Sequence, residues 1–390
     1  MVEMPFNRRD YDRFGVELLR KNNIDVEVWD LSKVLNFRVF SKTQVPDPIR
    51  FDNYLLFNSK RDVLIAIESL ECKAVIVCLI GYCLRSYSIY RAISRSNIIY
   101  VLYFMSGIPL SDNAQGDRKI FSLIVRIRNA SLDKIIEYGF SQVPFPVLGI
   151  RPANFVLTAG ENLIPHGQPV DGSSHRLSFH TLDYDLFLEE KEKSFELDRT
   201  MAVFLDEYLP FHPDYIRLGI EPCAQVENYY PSLCNFFNFL EGQFGFRIVV
   251  AAHPRSNYEV HPDYFGGRTV IRGNTIKLVK TSSLVIAHCS TSINFAILFK
   301  KPILLTSMDS FSNSLESRHI EAMATALGKK AIDIEKPDID EVRKELNVNE
   351  EIYRRYRNKY IKRDGPAEED KPFWQLFVDH LRREGVFEAA

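Results

Sequence analysis

Short apolar runs rich in β-branched residues alternate along this chain with longer segments in which apolar positions recur at helical spacing. That is the pattern of an α/β protein with parallel sheets. The pattern occurs twice. In the first half, residues 1–6 read as a short strand, and Tyr11, Phe14, Leu18 and Leu19 give an apolar helical stripe. Further strands are predicted at 25–31, 53–57, 73–79, 98–104 and 154–158, with helices near 60–70, 84–95 and 118–138. From Ala159 to about Arg199 the apolar runs vanish and Gly, Pro, His, Ser and acidic residues dominate, as in Gly167-Gln168-Pro169 and Asp171-Gly172-Ser173-Ser174. A connection between domains is expected there.

The second half restarts with a strand at 201–205. A helix follows in which Val226, Tyr229, Tyr230, Leu233, Phe236, Phe237 and Leu240 lie on one face. Strands are predicted at 246–252, 268–272, 284–289 and 302–306, with a helix at 290–299. The charged tail from Asn349 carries Trp374 and Phe377 on a last helical segment. Its apolar face needs a partner, so it is expected to pack back onto the first domain. The resulting expectation is an α/β architecture of two Rossmann-like domains facing a cleft, 1–160 and 200–345, joined by 161–199 and closed by helices in 346–390.

Composition narrows the function classes. A chain of 390 residues fits two cores better than one. Forty-nine basic and 51 acidic side chains give a net charge of -2, which removes the main reason to expect general nucleic-acid binding and leaves open a local basic patch. Six cysteines lie scattered among apolar neighbours with no zinc spacing, and read as reduced, buried side chains. No stretch approaches the apolar length of a membrane span, and no leader-like segment opens the chain. A cytoplasmic protein is expected, with peripheral contact at the inner face of a membrane left open.

Three groups sit at the carboxyl ends of predicted strands of the second domain, where ligands bind in open parallel sheets. The apolar strand ending at Ala252 runs into His253-Pro254-Arg255, where proline stiffens the turn and gives the imidazole a fixed direction. Such a histidine can donate to a phosphate oxygen or protonate a leaving group. The strand ending at Cys289 runs into Ser290-Thr291-Ser292, whose hydroxyls and backbone N–H groups suit phosphate, although serine and threonine also cap helices. The first strand of this domain ends on Asp206 and Glu207, either of which can serve as base toward an acceptor hydroxyl.

The trio resembles the acidic, His-Pro and Ser-rich motifs of bacterial sialyltransferases and related capsule or lipopolysaccharide glycosyltransferases of GT-B fold that use CMP-activated acidic sugars. The resemblance implies that Asp206 or Glu207 is the base, that His253 contacts the donor phosphate, and that Ser290 and Ser292 hold it. The group has glycine after its acidic pair, and this chain has Tyr208. A His-Pro followed by a Ser pair also resembles CDP-glycerol glycerophosphotransferases of teichoic acid synthesis, so the transferred group stays open. A non-catalytic nucleotide-sugar or glycan-binding protein on the same fold is the third alternative.

The implied activity is a metal-independent, inverting transfer of an acidic sugar from a CMP donor to a hydroxyl of a surface glycan or glycolipid. Glu316, with Arg318 and His319, follows the strand at 302–306 and is a candidate for the nucleotide ribose. Asn7-Arg8-Arg9-Asp10 follows the first strand and is a candidate acceptor site, because two arginines can hold an acidic group bidentately. Residues 106–110 form a second candidate acceptor surface. His212-Pro213 and His261-Pro262 repeat the dipeptide but follow no strand and read as turns, and His288 is a supporting residue at most. No GxGxxG, P-loop or DxD motif stands at a strand end, so no cofactor is expected.

Overall fold

The computed structural model describes residues 1–42, 47–71, 73–104, 109, 132–161, 164, 167–365 and 370–387. Two units emerge, one drawing on the chain up to His180 and again from Lys371, the other built on Thr181–Asp370.

In the first unit the strands are β1 (Val28–Asp30), β2 (Tyr54–Leu56), β3 (Val75–Cys78), β4 (Ile99–Phe104), β5 (Phe155–Ala159) and β6 (His175–Phe179). They form a two-stranded sheet β1-β2 and a four-stranded sheet β3-β4-β5-β6, parallel throughout. The strand expected over residues 1–6 is reduced to a single bridging residue. Val2 pairs in parallel with Asp30 on one side and Leu79 on the other, and so links the two sheets. The chain bends after it, and the carboxylate of Asp30 holds Phe6 N (3.0 Å).

β6 lies inside the stretch that reads as a connection. It is an edge strand with mostly exposed side chains, so it carries no apolar run to reveal it. Of the helix expected near 118–138, Leu132–Gln142 is helical. The part before residue 132 lies outside the described residues. The last helix, Phe373–Arg383, belongs to this unit: Trp374 Nε1 donates to Arg13 O (3.1 Å) and its indole stacks on Tyr103. Gly15 makes that approach possible, since a Cβ there would stand 2.4 Å from Trp374 Cδ1.

In the second unit the strands are β7 (Asp198–Leu205), β8 (Arg247–Ala252), β9 (Thr269–Arg272), β10 (Ser282–Ala287), β11 (Ile303–Ser307) and β12 (Ile332–Asp333). They form one parallel sheet in the order β12-β11-β10-β7-β8-β9. The central four are buried along most of their length, which is why their sequences read as continuous apolar runs. Helix Val226–Phe244 lays Tyr229, Tyr230, Leu233, Phe236, Phe237 and Leu240 onto the core. Burying six such side chains is worth on the order of 10 kcal/mol before ordering costs.

Helix Leu182–Glu190, in the stretch expected to be irregular, also belongs to this unit. So does helix Glu350–Tyr356, which buries Tyr353 and Tyr356. No described helix is long and apolar enough to cross a membrane.

Candidate functional site

Strand order reverses between β7 and β10, the place where open α/β sheets leave a crevice at their carboxyl ends. Leu205 of β7 pairs with Ala251 of β8 and Ala287 of β10. Asp206-Glu207, His253 and His288-Cys289 therefore leave the sheet at nearly one level, as the sequence leads one to expect.

His253 is held by a four-residue turn. Its carbonyl accepts from Ser256 N (2.9 Å), Pro254 stands at the second position, and the ring Nδ1 accepts from Arg255 N (3.2 Å). Ser256 Oγ adds a bond to the same carbonyl (2.7 Å). The same turn recurs at His212, where a turn but no part in the site was expected. His212 O accepts from Tyr215 N (3.1 Å), Pro213 is second, and Nδ1 accepts from Asp214 N (3.2 Å). The two imidazoles face each other with centroids 5.0 Å apart and planes at 63°. An imidazole whose Nδ1 accepts from an amide carries its proton on Nε2 when neutral, so both rings are donors at their far nitrogen. Burial lowers the pKa of His212, and the charges of Arg255 and Arg217 act in the same sense against Asp214 and Glu316.

The guanidinium of Arg255 makes no hydrogen bond or ion pair with any described residue, although the side chain is partly buried. His261-Pro262 differs from the other two dipeptides. Its ring stacks on Phe211 at 4.7 Å and its Nε2 is bonded to Tyr208 OH (3.1 Å).

Asp206 is 4% exposed. Its Oδ1 accepts from Tyr208 N (3.0 Å), and its Oδ2 from His253 N (3.0 Å) and Tyr258 OH (3.0 Å). Burial pushes its pKa up to about 6 against the pull of those bonds. Tyr208, standing where the resembling group has glycine, takes the left-handed conformation glycine favours, with φ 55°.

Glu207 turns toward β10, accepting from Cys289 N (2.8 Å) and Cys289 Sγ (3.1 Å). Enclosure of the carboxylate pushes its pKa up to about 7. Ser290 Oγ accepts from Ser292 N (3.3 Å), so that hydroxyl acts within its own turn, while Thr291 is exposed. The helix that follows, Ile293–Leu298, is short. His288 points into the core, bonded to Tyr229 OH (3.0 Å) and Thr306, and burial lowers its pKa to about 4.

Glu316 opens helix Leu315–Leu327 and accepts from Tyr215 OH (2.7 Å), which also contacts Cys223 Sγ (3.2 Å). Its charge is felt at His212, His319 and Cys289, which places it beside the paired imidazoles. Arg318 is exposed. Asn7, Arg8, Arg9 and Asp10 lie in the other unit. Asn7 caps helix Arg8–Arg13 through Asp10 N (3.0 Å), Arg8 pairs with Asp12 (3.2 Å), and Arg9 reaches Asp10 (3.9 Å). Of the surface expected at 106–110, all but Pro109 lies outside the described residues. Among the described residues no group of His, Cys, Asp and Glu is placed to hold a metal ion.

No protein-family model matches the chain, and no curated protein matches it. Solved structures do. The wall teichoic acid polymerase TagF superposes with a TM-score of 0.55 at 11% identity, over 99% of this chain and 88% of that one. The fold is GT-B. A variant of the same polymerase with a histidine replaced gives 0.53 at 10% identity, over 98% and 87%. A UDP-GlcNAc 2-epimerase of Methanocaldococcus jannaschii gives 0.45 at 14%, over 93% and 94%.

Proposed function

We propose that this GT-B protein is a transferase that moves a polyol phosphate, of the glycerol phosphate class, from a cytidine-diphosphate-linked donor to a hydroxyl of a surface glycan or glycolipid. The observation that carries the reading is the pair of His-Pro turns, with two Nε2 donors on rings 5.0 Å apart and Arg255 beside them making no hydrogen bond or ion pair with any described residue. A single imidazole suffices to steady one departing phosphate. Two, with a guanidinium, suit a diphosphate whose bridge is being broken.

The acceptor oxygen attacks the phosphorus that bears the polyol, the bridging P–O bond breaks, and CMP departs with that electron pair. His212, His253 and Arg255 stabilise the charge that builds on the phosphate oxygens. The acceptor's proton passes to Glu207, whose carboxylate is poised near neutrality. Glu316 reaches the ribose, and the Ser290-Thr291-Ser292 turn, with Thr291 exposed, borders the nucleotide phosphate. The likeness to a wall teichoic acid polymerase, two of whose similar structures have a histidine replaced, supports this reading.

A second reading, transfer of an acidic sugar from a CMP donor, draws on Tyr208: its φ of 55° is a left-handed backbone that glycine, the residue of the resembling group at this place, adopts most readily. The product separates the two. Phosphorus NMR of acceptor incubated with CDP-glycerol is expected to show one new phosphodiester for each CMP released. CMP release from a CMP-sugar with no phosphorus gained by the acceptor would establish the second reading. Thermal stabilisation by UDP or GDP and none by CMP or CDP would overturn both.

A further inference from the structure

We infer that Asp206 is a positioning residue, whose carboxylate stitches the loop carrying His212 to the loop carrying His253 and so sets the spacing of the two imidazoles. The inference rests on the reading of those imidazoles as the groups that meet the donor phosphates.

The carboxylate's bonds divide between the two loops. Oδ1 holds Tyr208 N, at the start of the segment that runs through the turn Leu209–Phe211 to His212. Oδ2 holds His253 N, the first amide of the other His-Pro turn, and Tyr258 OH, five residues further along that loop. Both anchors are themselves fixed. Tyr258 OH touches Tyr230 OH (3.3 Å) on helix Val226–Phe244, and Tyr208 OH is bonded to His261 Nε2. The backbone of Asp206 is tied to the sheet by its own N–H to Ala251 O (3.0 Å).

Three donors on an almost fully buried carboxylate leave little to offer an acceptor hydroxyl. Asparagine at this position has one acceptor oxygen and would turn its NH2 group toward a donor on at least one loop. The neighbouring Glu207 carries the proton transfer, so the two adjacent carboxylates divide the work.

The experiment is Asp206→Asn, with kinetics, nucleotide binding and a crystal structure. The expected result is a kcat lowered about 100-fold, the loss that misplacing a group by about 1 Å brings, with CMP affinity within about 3-fold of wild type. The residual rate keeps the wild-type plateau above neutral pH, because the base is intact. A wild-type kcat overturns the inference. So does a residual rate that climbs about tenfold per pH unit, since hydroxide would then be replacing a lost base. If Asp206→Asn does not fold, Tyr258→Phe decides: a kcat lowered about 3- to 10-fold at unchanged KM supports the inference, and a wild-type kcat overturns it. Failure of the wild-type protein to turn over any cytidine-linked donor sinks the functional reading alone. The ring separation in the Asp206→Asn crystal structure then decides, and an unchanged 5.0 Å overturns the positioning role.

Discussion

Replacing His212 by asparagine and by glutamine separates the two jobs its ring performs. The near nitrogen, Nδ1, accepts from Asp214 N and caps helix Pro213–Leu218. The far nitrogen, Nε2, is the one that the proposed function offers to the phosphates. Asparagine places an acceptor where Nδ1 stands and is a strong helix cap, so His212→Asn is expected to cost less than about 1 kcal/mol of stability, most of it lost ring packing on Tyr215 and His253. Glutamine places an amide near Nε2 but surrenders the cap, at a cost of about 1 kcal/mol more. Loss of one donor to a developing oxyanion removes about 10²–10³ in kcat. The expected order of activity is therefore wild type, then Gln, then Asn, while the order of stability is wild type, then Asn, then Gln. Thermal melts and CMP release from CDP-glycerol give the two series on the same preparations. If the two rings act as a unit, combining His212→Asn with His253→Asn costs little more than either alone. A His212→Asn kcat within about 3-fold of wild type, or an activity order that simply follows stability, refutes the reasoning.

Glu207 gives a pH signature. Its folded pKa is raised from 4.5 to about 7, so the neutral acid is favoured by folding. That stability is complete below the unfolded pKa, falls as pH rises from about 4.5 toward 7, and is gone above it. The ceiling is about 3 kcal/mol. Glu207→Gln is expected to gain on wild type over that interval in urea unfolding, and a difference that does not change with pH would contradict the argument. At Tyr208 both glycine and alanine lose the buried ring, but only alanine must hold φ 55° with a Cβ. Tyr208→Gly is expected to be more stable than Tyr208→Ala by about 1 kcal/mol, and equal melting temperatures would exclude backbone strain there. Arg255→Ala removes a charge that has no partner among the described residues. CDP affinity is expected to fall about 10- to 100-fold with the melting temperature unchanged. Undiminished affinity in a calorimetric titration would place the diphosphate elsewhere.

The strands at the centre of each sheet were legible because burial on both faces leaves a continuous apolar run, as at Ile248–Ala252 in β8 and Leu284–Ala287 in β10. β6 was not, because an edge strand with exposed side chains imposes no period on the sequence. His253 announced itself by following a strand directly. His212 did not, because it reaches the site through a short turn and helix entry whose direction depends on Tyr208 taking a left-handed conformation. The repetition of His-Pro on either side of β8 was visible, but without a strand ahead of it His212-Pro213 read only as a turn. The trio Ser290-Thr291-Ser292 was legible as a turn, but not the fact that one hydroxyl is spent on Ser292 N and that Glu207 already occupies Cys289 N. The second is a contact across strands, which pairing register creates and spacing along the chain does not contain.

The ionisable groups at the ends of β7, β8 and β10 have been sorted by enclosure. His288 is sealed between Tyr229 and Thr306, and with a pKa near 4 it stays neutral over the whole working range, contributing shape and hydrogen bonds but no proton. Asp206 is sealed as well, yet its three donors hold its pKa near 6 rather than higher, so it is predominantly ionised at neutral pH. A buried anion there tightens the bonds to His253 N and Tyr208 N for as long as it stays charged. Glu207 is pushed up chiefly by its own enclosure, with the like charge of Asp206 adding to it and bonds from Cys289 and the His288 backbone opposing it, and the balance leaves it nearest neutrality. Of the three, it alone changes charge at the pH where a base is needed. Protonation of Asp206 below about pH 6 has a different consequence: it adds a proton between groups that already donate, loosening both loops at once. The same acid limb in a rate profile would then report the geometry of the imidazole pair rather than the loss of a base.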